Sequence, residues 1–323
     1  MSDLPFDIDE DDGAGEETLA SSVLVVDDEW VVRDVFQRLL SRESDLSVEA
    51  VESAEAALER MQEKKFELLI TDKNLPGIGG VELISKARAL RPAMEAVMIT
   101  GYATAESLLA ALAAGATDYL TKPFDDLKVV RAKIRAALEH RTSKVQNRFR
   151  ARALAKEAQA LLAQGRAAKD AAWDTLDKAF SDYEAAIKGG GSGLVTVEGR
   201  PEAVELLVAA GFNAQSAGPR GPLGVPAAVM VVDTSHPTWR EDAETLVGYT
   251  DGDVLLLAAP EAGLPELLEA LTMKMELVGF GQTNEAGLQQ LPAKVRALMM
   301  TRAVNKAQAA LSAALEKFKA TLG

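Results

Sequence analysis

Residues 23–28 read Val-Leu-Val-Val-Asp-Asp, four apolar side chains followed by two acids. A run that is apolar at every position suits a strand buried on both faces, as in a parallel sheet. Acids at its end deliver carboxylates to the C-terminal edge of the sheet, where open α/β folds build their sites. Three further runs end in the same fashion. Glu67-Leu68-Leu69-Ile70-Thr71 leads to Asp72, Ala96-Val97-Met98-Ile99 leads to Thr100, and Thr117-Asp118-Tyr119-Leu120-Thr121 leads to Lys122-Pro123. Three carboxylates, a hydroxyl and an ammonium then converge on one crevice, which is the equipment of a phosphoryl-transfer site.

Strands are predicted at 23–27, 46–51, 67–72, 95–100 and 117–120, with helices at 30–41, 54–64, 80–90, 104–114 and from 126 onward. Ser53 ahead of Ala54-Glu55-Ala56 reads as an N-cap with an acid in the first turn. Alternation of this kind predicts an α/β fold of five βα units over residues 21–140, in the flavodoxin-like order 2-1-3-4-5. The switch point of that order lies beside the first and third strands, where Asp27, Asp28 and Asp72 stand.

Carboxylates crowded at one edge repel each other unless a cation sits among them. A hydrated Mg²⁺ suits such a site, because it needs few protein oxygens and keeps several waters. The register of Asp27-Asp28-Glu29, Asp72-x-x-x-Pro76-Gly77, Thr100-Gly101 and Tyr119-x-x-Lys122-Pro123 resembles the receiver domain of bacterial two-component response regulators. The resemblance covers about 120 residues and implies specific roles. Asp72 is then the phosphoacceptor, Asp28 and Asp72 hold Mg²⁺ directly, Asp27 acts through water, and the backbone carbonyl of Asn74 supplies another ligand. Thr100 and Lys122 contact phosphoryl oxygens, and Tyr119 matches the aromatic that moves inward on phosphorylation. The partner implied is a histidine kinase or phosphotransfer protein. A receiver of this kind is a phosphoacceptor with at most autophosphatase activity, not an enzyme.

The chain has no cysteine, which excludes a disulfide scaffold and a thiolate metal site and fits a reducing, cytoplasmic setting. No apolar run approaches the roughly 20 residues of a membrane span, so no membrane partner is expected. The formal charge of −14 is uneven. Asp3, Asp7, Asp9, Glu10, Asp11, Asp12, Glu16 and Glu17 crowd residues 1–20 without one basic residue, and that segment is predicted to be a disordered acidic tail.

From Asp126 to Lys188 the sequence is rich in alanine and cations and free of proline, and it then meets a glycine-rich linker at 189–193. One long helix is predicted, with 141–188 a connector beyond the receiver; a hairpin turning near Gly165 is the alternative. Trp173, Leu176, Phe180, Tyr183 and Ile187 follow the 3-4-3-4 spacing of a coiled-coil seam or of an antiparallel hairpin face; the first reading implies a homodimer through the connector. His140 reads as an exposed helix histidine. Arg141, Lys144, Arg148, Arg150, Arg152 and Lys156 form a basic stretch. It could take the acidic tail or nucleic acid, but no helix-turn-helix or zinc module stands beside it.

A shift of 161 residues lays the second half on the first. It takes Asp72 to Asp233, Pro76 to Pro237, Tyr119 to Phe280 and Ala132-Lys133-Ile134-Arg135-Ala136 to Ala293-Lys294-Val295-Arg296-Ala297. A second, smaller receiver-like α/β domain is therefore expected over 194–323, with strands at 194–197, 212–216, 227–233, 253–258 and 275–281. Gly218-Pro219-Arg220-Gly221-Pro222 leaves little room for its second helix. Its final helix is placed from Ala293 to about Lys319, with Leu298, Ala309, Leu311, Leu315 and Phe318 as apolar positions. Glu198-Gly199 replaces the acid pair, Ala258 or Ala259 the hydroxyl, and Thr283 the lysine. Asp233 then reads as a loop acid or helix cap, His236 as a surface residue, and the domain as a degenerate pseudo-receiver.

These readings add up to a response regulator whose output, to an unknown protein, runs through the connector and pseudo-receiver. Two rivals stand beside it: a scaffolding protein that uses the receiver as an interaction module, and a nucleic-acid-binding regulator acting through the basic helix.

Overall fold

The structure, a computed structural model, describes residues 21–163, 171–189, 193–198, 200–217, 227, 229–234, 238–241, 243, 253–258, 265, 269, 276–278 and 284–321. The predicted acidic tail, Gly165, most of the glycine linker, the 218–222 stretch, His236, Pro237, Ala259, Phe280 and Thr283 lie outside the described residues. The chain divides into two compact units, one built on residues 21–146 and the other on most of the described residues from 147 onward.

In the first unit β1 (Ser21–Val26), β2 (Leu46–Val51), β3 (Leu68–Asp72), β4 (Glu95–Thr100) and β5 (Asp118–Thr121) form a parallel sheet in the order β2-β1-β3-β4-β5. The intervening helices are α1 (Trp30–Leu40), α2 (Ala54–Glu63), α3 (Gly80–Leu90) and α4 (Ala105–Ala114), and α5 (Leu127–Ala163) follows β5. The expected order is therefore found. Val23 to Val26 are all inaccessible to solvent, and β3 and β4 are buried along their whole lengths. Each such aliphatic side chain contributes about 1.5–3 kcal/mol by leaving water. Val23, Val25, Ile70 and Ile99 pack with Phe36 and Leu40 of α1 and Ile134 of α5 in one core.

Local signals in the sequence set the helix ends. Ser53 caps α2 by accepting from the Ala56 amide at 3.2 Å. Thr104 and Ser107 close a reciprocal capping box on α4, and Gly115 ends that helix in the left-handed region at φ 101°. Gly80 has a steric reason: a Cβ there would stand 2.0 Å from the Asp72 carbonyl oxygen. Only glycine lets α3 start so close to the strand that carries Asp72.

The second unit holds α6 (Ala171–Gly189), β6 (Leu194–Glu198), α7 (Pro201–Ala209), β7 (Asn213–Ser216), β8 (Val229–Asp233), β9 (Asp253–Leu257), β10 (Glu276–Val278) and α8 (Asn284–Ala320). Its five strands are parallel in the order β10-β9-β8-β6-β7. Counted in chain order, that is again 2-1-3-4-5, on strands that begin within two residues of those predicted. Val195, Val197, Val229, Val231, Leu255 and Leu257 form its core with Leu291, Val295 and Met299 of α8.

Three expectations change. The helix predicted over 126–188 is found as α5 and α6, with 164–170 outside the described residues. Lys319 of α8 pairs with Glu157 of α5 at 2.8 Å, while Ala314 and Lys317 border a groove with Asp174 and Lys178 of α6. On one straight helix Glu157 and Lys178 would stand about 30 Å apart, so α6 does not prolong α5 in line. The aromatic seam is covered by the chain itself: Leu176, Tyr183 and Ile187 are buried with Ala155, Ala158, Leu311, Leu315 and Phe318. Burial within one copy removes the physical reason for the homodimer expected through this seam. Finally, α8 begins at Asn284, not Ala293, and runs through Pro292. Leu291 and Val295, both fully buried, flank the proline and offset its missing amide bond. Ala314, not the exposed Ala309, fills the buried position of the last turns. No helix among the described residues is long and apolar enough to cross a membrane.

Candidate functional site

Asp27, Asp28, Asp72, Thr100 and Lys122 all stand at the C-terminal edge of the first sheet, at or just past the ends of β1, β3, β4 and β5. Pairing sets their order: Val26 lies beside Thr71, Asp72 beside Ile99, and Thr100 beside Thr121. Asp27 and Thr100 are inaccessible to solvent, Asp72 nearly so, and Asp28 is exposed. The Lys122 ammonium organises the group. Its Nζ is 2.9 Å from Asp72 Oδ1, 2.9 Å from Asp27 Oδ2 and 2.9 Å from Glu29 Oε1. The peptide between Lys122 and Pro123 is cis.

Electrostatics follow from that packing. Burial pushes the Asp27 carboxyl up, and Lys122 only partly counters it. Burial works against the Lys122 ammonium, yet the carboxylates of Asp72, Glu29 and Asp27 together hold it well above the ordinary lysine range. Asp72 Oδ2 accepts from the Asn74 amide at 2.5 Å, which orients the carboxylate and places the Asn74 peptide beside it. The Thr100 hydroxyl accepts from the Tyr102 amide at 3.1 Å. Tyr119 already lies inside, its hydroxyl 3.0 Å from Ser107 Oγ, and burial raises its pKa.

The donor set fits a hard, hydrated cation. Asp27 and Asp72 each reach the same ammonium nitrogen, so their nearest oxygens lie within about 6 Å of each other. Among the described residues no three acidic or imidazole side chains converge into a ready-made cage. An ion here would therefore complete its shell with water and backbone carbonyl, as Mg²⁺ does.

Two residues gained no role from the sequence. Glu29 is an acid of the second rank, holding Lys122 from the exposed side. Arg33, one turn into α1, sends Nη1 to the Asp27 carbonyl at 2.6 Å and the Asp28 carbonyl at 2.9 Å. The only sequence signal for it is a cation five and six residues after the acid pair.

At the matching edge of the second sheet Asp233 is fully buried at the end of β8 and ion-paired to Arg200. It belongs to the strand and not to the loop expected for it. Glu198 is buried at the end of β6, and Ala258 is buried just past β9.

The opposite edge of the first sheet holds another buried acid. Glu95, at the start of β4, accepts from the Thr117 hydroxyl and from Arg88 Nη2 at 3.2 Å, and Lys144 Nζ lies 3.1 Å from its other oxygen. His140 is the exposed helix histidine expected, and its Nδ1 also lies 3.3 Å from that same oxygen.

Residues 23–135 match the response regulator receiver domain family. Over 107 residues the chain is 36% identical to the response regulator protein FleR of Pseudomonas aeruginosa, covering 33% of this chain and 22% of that one. It is 35% identical over 120 residues to the transcriptional regulatory protein ZraR of Escherichia coli, covering 36% and 26%. With an uncharacterized 14.6 kDa protein of Leptolyngbya boryana it shares 37% identity over 118 residues, 36% of this chain and 89% of that one. Among solved structures, a receiver domain protein (CheY-like) from Methanospirillum hungatei JF-1 shares 33% identity over 39% of this chain and 98% of that one, with a TM-score of 0.37. The chain thus spans about a quarter or less of the length of FleR and ZraR.

Proposed function

The chain belongs, through residues 23–135, to the response regulator receiver domain family, and from that premise we propose that Asp72 accepts a phosphoryl group from a histidine kinase or phosphotransfer protein. One observation carries the reading: a single ammonium, Lys122, stands 2.9 Å from both Asp72 and Asp27 at the switch point of the sheet. Asp72 Oδ attacks the phosphorus of the donor phosphohistidine; the new O–P bond forms as the P–N bond breaks, and the imidazole leaves. Lys122, 2.9 Å from Asp72 Oδ1, and Thr100, at the end of the neighbouring strand, would take the phosphoryl oxygens. Asp28 and Asp72, with the Asn74 carbonyl and with Asp27 behind a water, would hold Mg²⁺, whose charge offsets that of the phosphoryl oxygens.

The protein acts as a phosphoacceptor and not as an enzyme in its own right. The second sheet, with the same strand order and a changed edge, acts as a pseudo-receiver. Output runs by contact with another protein through the helices and that domain. The test is intact mass after incubation with acetyl phosphate and Mg²⁺. Wild type and Asp233→Asn should each gain one phosphoryl group, and Asp72→Asn none. Uptake retained in Asp72→Asn and lost in Asp233→Asn would overturn the assignment.

A further inference from the structure

An ammonium carries three hydrogens, and Lys122 meets three carboxylates. Asp72 Oδ1, Asp27 Oδ2 and Glu29 Oε1 each lie 2.9 Å from its Nζ, so each hydrogen has an acceptor. A phosphoryl group on Asp72 brings further oxygens to the same nitrogen. One of the present contacts has to give way.

The three carboxylates differ in what release costs them. Asp27 is inaccessible to solvent and Asp72 nearly so, and a buried carboxylate that loses its cation is left uncompensated. The Glu29 side chain is 62% exposed and rehydrates when it lets go. Glu29 is the contact that yields.

The start of α1 points the same way. The Glu29 amide donates to Asp27 Oδ1 at 3.0 Å, which fixes the residue at the sheet edge. Glu29 is the N-cap of α1, with φ −78° and ψ 112°, yet its side chain makes no capping hydrogen bond. Good caps are Ser, Thr, Asp and Asn, whose short side chains fold back onto the first turn. The longer glutamate leaves that turn without a side-chain acceptor and reaches instead to Lys122, just past β5.

We propose that Glu29 is a brake on phosphoryl uptake at Asp72: it holds Lys122 in the unphosphorylated protein and is displaced when the ammonium turns to the incoming phosphoryl oxygens. Glu29 is then a positioning residue that acts through Lys122, and its role rests on Asp72 being the acceptor. A contact present in the ground state and lost in the transition state raises the barrier. Uptake from acetyl phosphate forms the O–P bond to Asp72 as the bond to the acetate oxygen breaks and acetate leaves. In that step the Glu29 contact is given up. In hydrolysis water attacks the phosphorus, the Asp72 carboxylate leaves, and inorganic phosphate departs with the oxygen and hydrogens of the water. Lys122 is on the phosphoryl oxygens before and during that step, so Glu29 has no contact left to lose.

The full chain with acetyl phosphate and Mg²⁺ reads both steps: uptake by intact mass over time, and loss of the phosphoryl group after the donor is removed. Glu29→Gln should raise the uptake rate about two- to fivefold, the range of one exposed ion pair, and leave the hydrolysis rate unchanged. Glu29→Asp keeps the charge, loses the reach to Lys122 and gains a capping side chain, so uptake should rise as it does in Glu29→Gln. A rise in Glu29→Gln beside wild-type uptake in Glu29→Asp would mean that net charge at the edge sets the rate, and would overturn the proposal. Slower uptake in Glu29→Gln with a higher Mg²⁺ requirement would make Glu29 a helper of the metal and overturn it too. Equal uptake by all three proteins removes the brake and leaves Asp72 as the acceptor. No uptake by wild type removes both.

Discussion

Replacing Glu95 by Gln should loosen the edge of the receiver that grips α5. Glu95 is 1% exposed and faces Thr117, Arg88, Lys144 and His140, three elements brought to one carboxylate. Burial opposes its charge, but the Thr117 hydroxyl and the Lys144 and Arg88 cations outweigh that and hold the carboxyl below the ordinary 4.5. Removing one partner of a buried ion pair costs about 3–5 kcal/mol when the other charge is stranded. Here Lys144 and His140 are half-exposed and can rehydrate, so the expected cost is about 2–3 kcal/mol. Asp45→Asn, removing an exposed partner of Arg135, should cost far less, because solvent screens that pair. Amide exchange reads the difference locally. Protection of Ala96–Ile99 should fall roughly 30- to 150-fold, since 1.4 kcal/mol is a factor of ten, and residues 138–146 of α5 should exchange faster as well. A carboxyl held low in the folded state stabilises the fold above its unfolded pKa, and that contribution is lost as pH falls through the folded value. The penalty of the substitution should therefore be complete at pH 7 and shrink below pH 4.5. A change in protection below threefold, or a penalty unaltered by acid, would refute the assignment of this carboxylate as the grip on α5.

Three further outcomes follow from the packing of the two units, each taken by itself. Asp27→Asn should stabilise the Mg²⁺-free protein at pH 7 by about 0.5–2 kcal/mol while abolishing the Mg²⁺ response of Trp30 fluorescence. Burial raises the Asp27 carboxyl, so the ionised acid strains the fold more as pH rises above 3.8, and urea midpoints should show the gain vanishing below that pH. Arg33→Gln should weaken Mg²⁺ binding 10- to 100-fold by freeing the carbonyls of Asp27 and Asp28, with Arg33→Lys recovering part of the loss and thermal stability nearly unchanged. Leu176→Ala should destabilise the helical cluster by about 2–5 kcal/mol in denaturant melts, and wild type should sediment as a monomer at tens of micromolar, because the seam is filled from within one copy.

The first sheet was legible because its strands are buried on both faces and so spell uninterrupted apolar runs. The site was legible because strand ends turn apolar runs into acids at the switch point. What the sequence left open depends on long-range pairing. Nothing in Trp173-x-x-Leu176 distinguishes a partner copy from α8, since both offer the same apolar ridge; only the fold shows Leu311, Leu315 and Phe318 covering it. The last helix was placed from Ala293, just past Pro292, whereas it begins at Asn284, with Leu291 and Val295 buried on either side of the proline. Arg33 and His140 were missed for a related reason. Their partners are backbone carbonyls and a carboxylate 45 residues away, and neither leaves a pattern in the local sequence.

The two sheet edges share a strand order and differ in charge balance, and the balance bears on what each can hold. At the first edge Asp27, Glu29 and Asp72 pair with Lys122, Asp28 adds a fourth acid, and the Arg33 guanidinium binds the carbonyls of Asp27 and Asp28, so acids still outnumber cations. Such an edge is favourable for a divalent ion and, once that ion is present, for a phosphoryl group as well. At the second edge Asp233 is bonded to Arg200, a guanidinium that follows β6 by two residues, and Glu198 is the only other acid described there. The cation is supplied by the chain, is always charged, and occupies the carboxylate that corresponds to Asp72. A metal would have to displace a bonded guanidinium to gain two ligands, and a phosphoryl group on Asp233 would break the pair that compensates its burial. Arg200 therefore makes the second edge self-sufficient. The same strand order thus carries one edge where acids outnumber cations and one where a guanidinium of the chain holds the buried acid.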